Sequence, residues 1–527
     1  MLTATGPDNY QQACAAIAER ISKSTLSAGG VRKIVREVAS AYGLETMPKN
    51  EHILACLPKD SRYRRMLMVK PAKTASGVAV ITVMPKPFEC PHGRCTYCPG
   101  GIEFNTPLSY TGTEPATRAA QKFSFDPYEQ ASSKLQQLQA RGHDTGKSEI
   151  VIVGGTFPFM PQDYQRSFAK GCYDALNGQA SPSLADAMIA NETAHNRCVG
   201  FTVETKPDYC KEPHVDLMLE LGATRVEMGV QSLRDDVYLL VNRGHALQDV
   251  FDSFRIAREA GYKIVAHMMP GLPGSSPEKD VQDFKQLFTD DALKPDMLKV
   301  YPTLVLEHTG LYKMHQTGKY RAYSDDELVD VIVSMKKIVP EYVRIMRVQR
   351  EIESGDIVAG PKSGNLRQMV LQKLHESGRE CRCIRCREAG LQRRYPEPND
   401  VVLKRHDYVA SAGQETFLSF ESRDGKTLLG FLRLRKVKNP HRSELAGAAI
   451  IRELHVYGQV ISVGLETDGS SMQHRGYGMK LMQEAERIAR DEMGVGKMAV
   501  ISAVGTREYY KKQLGYRQDG PYVSKVL

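Results

Sequence analysis

The stretch GVAVITVMPKPFECPHGRCTYCPGG, residues 77–101, runs from a β-branched segment straight into three cysteines, Cys90, Cys95 and Cys98. Such a run reads as a strand that delivers a loop at its C-terminal end. The same texture recurs downstream. EIVIVGGTF (149–157), CVGFTVETKP (198–207), TRVEMGVQS (224–232), KIVAHMMPG (263–271) and MLKVYP (297–302) are interspersed with or followed by amphipathic segments such as PYEQASSKLQQLQARG, HVDLMLELG, LQDVFDSFRIAREAG and DDELVDVIVSMKKIV. Strands alternating with helices predict parallel βα units from residue 76 to 360, closed as a barrel or left as an open sheet. In both arrangements functional groups belong at the C-terminal ends of the strands.

Around this array lie three further regions. Residues 1–75 carry helical periodicity, in YQQACAAIAERIS and VRKIVREVASAYG, and end in the basic run SRYRRMLMVKPAK. The βα pattern breaks at AGPKSGNLRQ, and residues 361–400 are polar and arginine-rich. After PEPND the chain turns β-rich, in TFLSFE, KTLLGFLRLRK and AAIIRELHVYG, then KMAVISAV, so residues 401–527 predict a second α/β unit. There is no internal repeat.

Of 527 residues, 41% are hydrophobic and 25% charged, which fits a globular chain and gives no reason to invoke large-scale disorder. No apolar run approaches the ~18 residues of a membrane span. MLTATGPDNYQQ has no basic segment leading an apolar core, so a cytoplasmic location with reduced thiols is expected. Among 11 cysteines, six cluster in two triplets, a pattern of metal ligands rather than disulfides. The formal charge is +9, and its distribution matters more than its size. Arg62, Arg64, Arg65, Lys70 and Lys73, the arginines flanking the second triplet, and Arg344, Arg347 and Arg350 predict a positive path for a polyanion.

The C-x4-C-x2-C loop offers three thiolates, enough for three irons of a [4Fe-4S] cube, with no fourth cysteine nearby; structural zinc is the alternative. Gly154 and Gly155 clear space for close approach of a ligand after the second strand. Glu204, Lys206, Gln231 and the HMMPGLPG segment end later strands. Cys381, Cys383 and Cys386 form a C-x-C-x-x-C set, with His375 upstream, suited to a Cys3His zinc site. Gln473, Gly476 and Gly478 open an amphipathic helix whose first N–H groups make an anion site.

The cysteine loop at the end of a first strand, with the Gly154–Gly155 pair, resembles the radical S-adenosylmethionine (SAM) superfamily. Four residues between the first two cysteines, rather than three, point to a subfamily. The Gln473-x-x-Gly476-x-Gly478 pattern, followed by GTREYYKKQLGY, resembles the GCN5-related N-acetyltransferases. With ECPHGRCTYCPGG, VGGTFP, ETKPDYC, RVQREI and IRELHVYG, the chain from about residue 76 onward resembles the Elongator catalytic-subunit family.

That resemblance implies a partial TIM-like radical SAM barrel plus an acetyltransferase α/β domain, a helical tRNA-binding N-terminal region and a zinc-binding linker. It implies carboxymethylation of the wobble uridine of tRNA from acetyl-CoA, with a [4Fe-4S] cluster on Cys90, Cys95 and Cys98, SAM against Gly154, Gly155, Glu204 and Lys206, and Zn2+ at the second triplet. Acetyl-CoA would contact Lys147, Glu453, Leu454, His455, Val456, Tyr477, Gly478 and Met479, with Tyr510 at the thioester. An anticodon stem-loop and an external electron donor are the implied partners, beside a homo-oligomer or accessory subunits. A protein lysine acetyltransferase with a structural iron–sulfur domain is the alternative function.

Overall fold

The computed structural model describes residues 7–58, 61–457 and 476–527. Strands Ala79–Val83, Lys147–Ile152, Arg197–Thr205, Arg225–Gln231, Lys263–Met268, Met297–Val300 and Arg344–Arg347 pair in chain order, each neighbour parallel. The first and last strands stay as edges, so the barrel is partial and open. Six of these strands follow the β-branched runs. The seventh is the short segment RIMR, which the apolar pattern alone does not mark.

Helices cover the outer face, and the sequence writes several of their starts. Asp126 accepts from the Glu129 N–H at 2.9 Å ahead of helix Pro127–Ala140, and Ser324 with Glu327 forms a reciprocal capping box ahead of Asp325–Ile338. Ile81, Ile150, Val203, Val226, Ile264 and Leu298 point outward beneath the helices and are fully buried. Because side chains alternate along a strand, their neighbours point the other way. Those inward positions hold Lys147, Glu149, Arg225, Glu227, Lys263, His267 and Lys299, so the barrel interior is charged, unlike the continuous apolar strands usual in a parallel sheet.

The N-terminal helices Pro7–Ser22, Ala28–Ala41 and Asn50–Cys56 bury their own small core around Ile17, Ile21, Val31 and Ile53. They dock on the barrel through an Arg141–Glu51 ion pair at 3.0 Å, while His143 joins the Val69 carbonyl and the Thr74 hydroxyl, each at 2.9 Å.

The C-terminal sheet begins with four antiparallel strands, Val401–Ala410, Gly413–Ser422, Leu428–Lys436 and Ala448–Val456. The last of these meets strand Lys497–Val500 in parallel, but only through Ala448–Ile451. From Arg452 onward its edge is unpaired on that side, and a wedge opens between the two strands. Helix Tyr477–Arg487 starts beside the wedge.

The two sheets are joined by a buried charge network. Arg452 binds Asp296 at 2.6 and 2.8 Å and Glu415 at 2.8 Å; Arg435 binds Glu415 and Glu259, each at 3.0 Å; Arg433 donates to the Tyr342 carbonyl at 2.7 Å. Against the burial that pushes its pKa up, Arg452 and Arg433 hold Asp296 ionised. Asp296, Tyr262 and Tyr342 all sit at the starts of barrel strands, so the C-terminal domain closes the end of the barrel opposite the cysteine loop.

Candidate functional site

One cavity of about 1330 Å³ runs through the barrel interior and is lined by both domains. At the C-terminal ends of the strands it meets Cys90, Cys95 and Cys98. The His92 Nε2 lies 3.2 Å and the Arg243 guanidinium 3.7 Å from the Cys95 sulfur. Contact with the Cys98 thiol, opposed by burial and helped by His92 and Arg243, pulls the Cys95 thiol well below its ordinary range. Nearby buried atoms lack partners among the described residues: the Thr96 and Tyr97 hydroxyls and Arg243 Nε. Thiols with orphaned polar groups behind them fit a bound inorganic cluster.

Beside this loop, Gly154 and Gly155 have φ of 122° and 109°, values open to glycine. The Gly154 N–H donates to Glu204 at 3.1 Å, and a Cβ there would come within 3.2 Å of Met84. Lys206 contacts Asp208 at 3.1 Å and His92 at 3.0 Å, and burial followed by Arg243 lowers its pKa. Gln231, at φ 73°, has a buried side-chain oxygen with no partner among the described residues. This rim suits a small polar molecule lying against the cysteine loop.

One layer deeper, Glu227 joins His267 Nε2 at 2.9 Å and the Lys299 ammonium, which also lies 3.9 Å from Glu204. Against burial, Lys299 and then His267 keep Glu227 ionised. Glu204, Glu227 and His267 gather as a metal would require, yet the ammonium already takes the cation's place.

The strand starts form the deepest layer. Burial lowers the Lys147 pKa, and it takes Lys263 down to about 8 against the opposing pull of Glu453. Across from them lies the free strand edge, Glu453, Leu454, His455 and Val456. Arg433 holds Glu453 at 2.9 Å, His455 Nε2 lies 3.1 Å from the Ser76 carbonyl oxygen, and burial lowers the His455 pKa. Gly476, at φ 72°, turns the chain into the following helix, and Gly478 and Met479 face the cavity. A Cβ on Gly478 would lie 3.5 Å from the Tyr509 hydroxyl. Tyr510 is buried against Tyr509 at 5.3 Å between ring centres, and burial raises its phenol pKa.

The structure therefore brings Lys147, residues 453–456, Gly478, Met479 and Tyr510 to one cavity with the cysteine loop. Tyr477 instead packs its ring 4.7 Å from Phe420, and Gln473 lies outside the described residues. The sulfurs of Cys381, Cys383 and Cys386 lie within 4.8 Å of one another, with the buried Lys336 ammonium 3.3 Å from Cys381. This donor set fits a single zinc ion. His375 is exposed at the end of helix Leu366–Glu376 and stands outside that group.

Several arginines of the expected path are ion-paired within the chain. Arg344 is tied to Glu388 and Tyr457, Arg382 to Glu341, Arg387 to Glu421 at 2.8 Å and Arg394 to Asp424 at 3.2 Å. Crowded positive charge remains at the end of the expected basic run and beside it: burial, then Arg141 and Lys70, lowers the Lys73 pKa, and burial, then Lys73 and Arg141, lowers that of Lys134. Sequence reasoning also missed Glu227, Lys263 and Lys299, and met His267 only as the first residue of the HMMPGLPG segment. Their signal was present as charges at alternate positions in RVEMGVQ, KIVAHM and MLKV.

A parallel partial barrel with a three-cysteine loop at its mouth, closed behind by a sheet with a splayed strand, defines a radical SAM domain joined to a GCN5-type acetyltransferase domain. Residues 10–75 match the ELP3 N-terminal domain, 87–287 the Radical SAM superfamily, 295–376 the Radical SAM C-terminal domain and 382–516 the acetyltransferase (GNAT) family. Elongator complex protein 3 of Danio rerio is 45% identical over 514 residues, covering 94% of this chain and 93% of that protein. The tRNA uridine(34) acetyltransferase of Methanocaldococcus infernus is 43% identical over 527 residues, covering 97% and 98%. The solved archaeal Methanocaldococcus infernus Elp3 lacking its N-terminus (1–46) superposes with a TM-score of 0.76 at 42% identity, covering 86% of this chain and 100% of that one. The chain belongs to the Elongator complex protein 3 family. That family implies a [4Fe-4S] cluster and SAM for the first domain and acetyl-CoA for the second. No helix among the described residues is long and apolar enough to cross a membrane.

Proposed function

We propose that this chain forms 5-carboxymethyluridine at the wobble uridine of tRNA, taking the two-carbon unit from acetyl-CoA by SAM radical chemistry. One observation carries the reading: the cysteine loop and the acetyltransferase strand edge with Tyr510 line the same cavity of about 1330 Å³. A relative named tRNA uridine(34) acetyltransferase, alike over nearly the whole chain, supports the substrate.

Cys90, Cys95 and Cys98 would hold the cluster, and Gly154, Gly155, Glu204 and Lys206 the SAM. When bound, these groups supply a 5′-deoxyadenosyl radical that takes a hydrogen from the acetyl methyl, so that the methyl carbon can add to uracil C5. Lys147, Glu453–Val456 and Tyr477–Met479 would position acetyl-CoA, with Tyr510 toward its thioester end. Cys381, Cys383 and Cys386 would hold Zn2+ with one further ligand. Lys70, Lys73 and Lys134, where positive charge is crowded and a phosphate would relieve it, would receive the tRNA backbone. A stacked base hides C5, so the wobble base must be splayed into the cavity. An external reductant and a cytoplasmic setting complete the proposal.

Incubation of anaerobically reconstituted protein with methyl-deuterated acetyl-CoA, SAM, reductant and tRNA should place deuterium in 5′-deoxyadenosine and a carboxymethyl group in digested tRNA. Omission of any one component should abolish the nucleoside product. Absence of both products from the complete mixture rejects the proposal. Acetyl transfer to protein lysines without SAM would favour the acetyltransferase reading, in which the two sites have no reason to share a cavity.

A further inference from the structure

The proposed reaction ends with a thioester that water must open, and the middle layer of the cavity carries a group built for that step. His267 sits on strand Lys263–Met268, one position before its end, facing Lys299 across the parallel register. Its Nε2 is engaged by the Glu227 carboxylate at 2.9 Å, and its ring stands edge-on to Tyr301 at 5.2 Å. Nδ1 has no partner among the described residues and is not among the buried orphaned atoms, so it faces the cavity that His267 lines. A carboxylate on one imidazole nitrogen fixes the tautomer and leaves the other nitrogen as a base.

Height in the barrel connects this group with the thioester. The acetyl methyl must meet a radical generated beside the cysteine loop, at the C-terminal ends of the strands. The carbonyl carbon is one bond behind the methyl, which brings it to the layer of His267, with the sulfur and the pantetheine arm trailing back toward Tyr510 and the strand starts, where Lys147 and Lys263 lie. Lys299 holds Glu227 ionised from its other side and fills the gap toward Glu204.

Resting on the function proposed above, we propose that His267 is the general base for thioester hydrolysis, with Glu227 and Lys299 as its positioning residues. The oxygen of a water molecule bonds to the carbonyl carbon while its proton passes to His267 Nδ1. The C–S bond then breaks, its electron pair leaves on sulfur, and the imidazolium returns the proton to the thiolate. The products are a carboxylic acid and free CoA, and no oxidant or reductant is consumed.

The test measures CoA thiol release from acetyl-CoA by the full-length protein with tRNA, which needs no radical, beside deuterium transfer in the reconstituted enzyme. His267→Gln should slow thiol release by about 100-fold or more while deuterium transfer stays within about threefold. Glu227→Gln should slow release by a smaller factor. In nitrogen-15 histidine spectra the wild-type ring should be the Nε2–H tautomer, a signal absent from His267→Gln and altered in Glu227→Gln. If His267→Gln fails to fold, His267→Ala with added imidazole substitutes, and recovered release supports the base. Release within threefold of wild type in the folded variant, an Nδ1–H tautomer, or no release by the wild-type protein overturns the assignment. Thiol release without deuterium transfer in the wild type sinks the proposed function and leaves His267 standing.

Discussion

Two of the places where the domains meet, the buried network and the shared cavity, are full of charge. In the network of Arg258, Glu259, Asp296, Glu415, Arg433, Arg435 and Arg452, every member has an opposite charge within 4.0 Å and almost no solvent contact. In the cavity, Lys263 has a Thr224 hydroxyl at 3.2 Å and no carboxylate of the described residues within 4.0 Å, and it faces open space. Paired charges out of water hold position, whereas charges lining a cavity remain available to a ligand. The difference between the network and this lysine is therefore one of completeness of pairing rather than of composition.

The sharpest attempt to break that contrast is Asp296→Asn. It removes the anion that Arg452 clasps at 2.6 and 2.8 Å and should cost about 3–5 kcal/mol, read from chemical denaturation. A loss below about 1 kcal/mol would mean the network is not a lock. Lys147→Ala, in the cavity, should behave in the opposite way: thiol release from acetyl-CoA falls about 10- to 100-fold while stability moves by less than about 1 kcal/mol.

Lys263→Met sharpens the comparison through pH. The folded pKa of about 8 lies below the ordinary 10.5, so charging this lysine opposes folding below pH 8, and the penalty fades as pH rises toward 10.5. Replacement should gain about 1–2 kcal/mol at pH 7, a gain that shrinks by pH 10, together with weaker acetyl-CoA binding. Smallest in energy, Lys73→Glu or Lys134→Glu should lower tRNA affinity by about 1 kcal/mol and flatten its salt dependence, while Arg382→Glu should not, because Arg382 is bound to Glu341.

Much of the fold was legible because β-branched runs and capping residues report locally. Six barrel strands follow the apolar runs, and the splayed strand follows AAIIRELHVYG. Arg344–Arg347 was not legible, since a four-residue strand with an arginine at each end has too little apolar pattern to register. The cysteine loop was legible from spacing, because one loop carries all three sulfurs. The Glu227–His267–Lys299 group was not, since its members come from three strands and meet only when the barrel curls. Arginine clusters misled for a related reason: Arg344 and Arg387 find Glu388 and Glu421 across tens of residues, a pairing that a count of charge in a window cannot register.

The lock draws Arg258, Glu259 and Asp296 from one domain and Glu415, Arg433, Arg435 and Arg452 from the other. Severing the polypeptide between them would leave each half with naked ions on a surface shaped for a mate. Neither half is then a free-standing module to be borrowed, so recombination must carry the pair together or lose both.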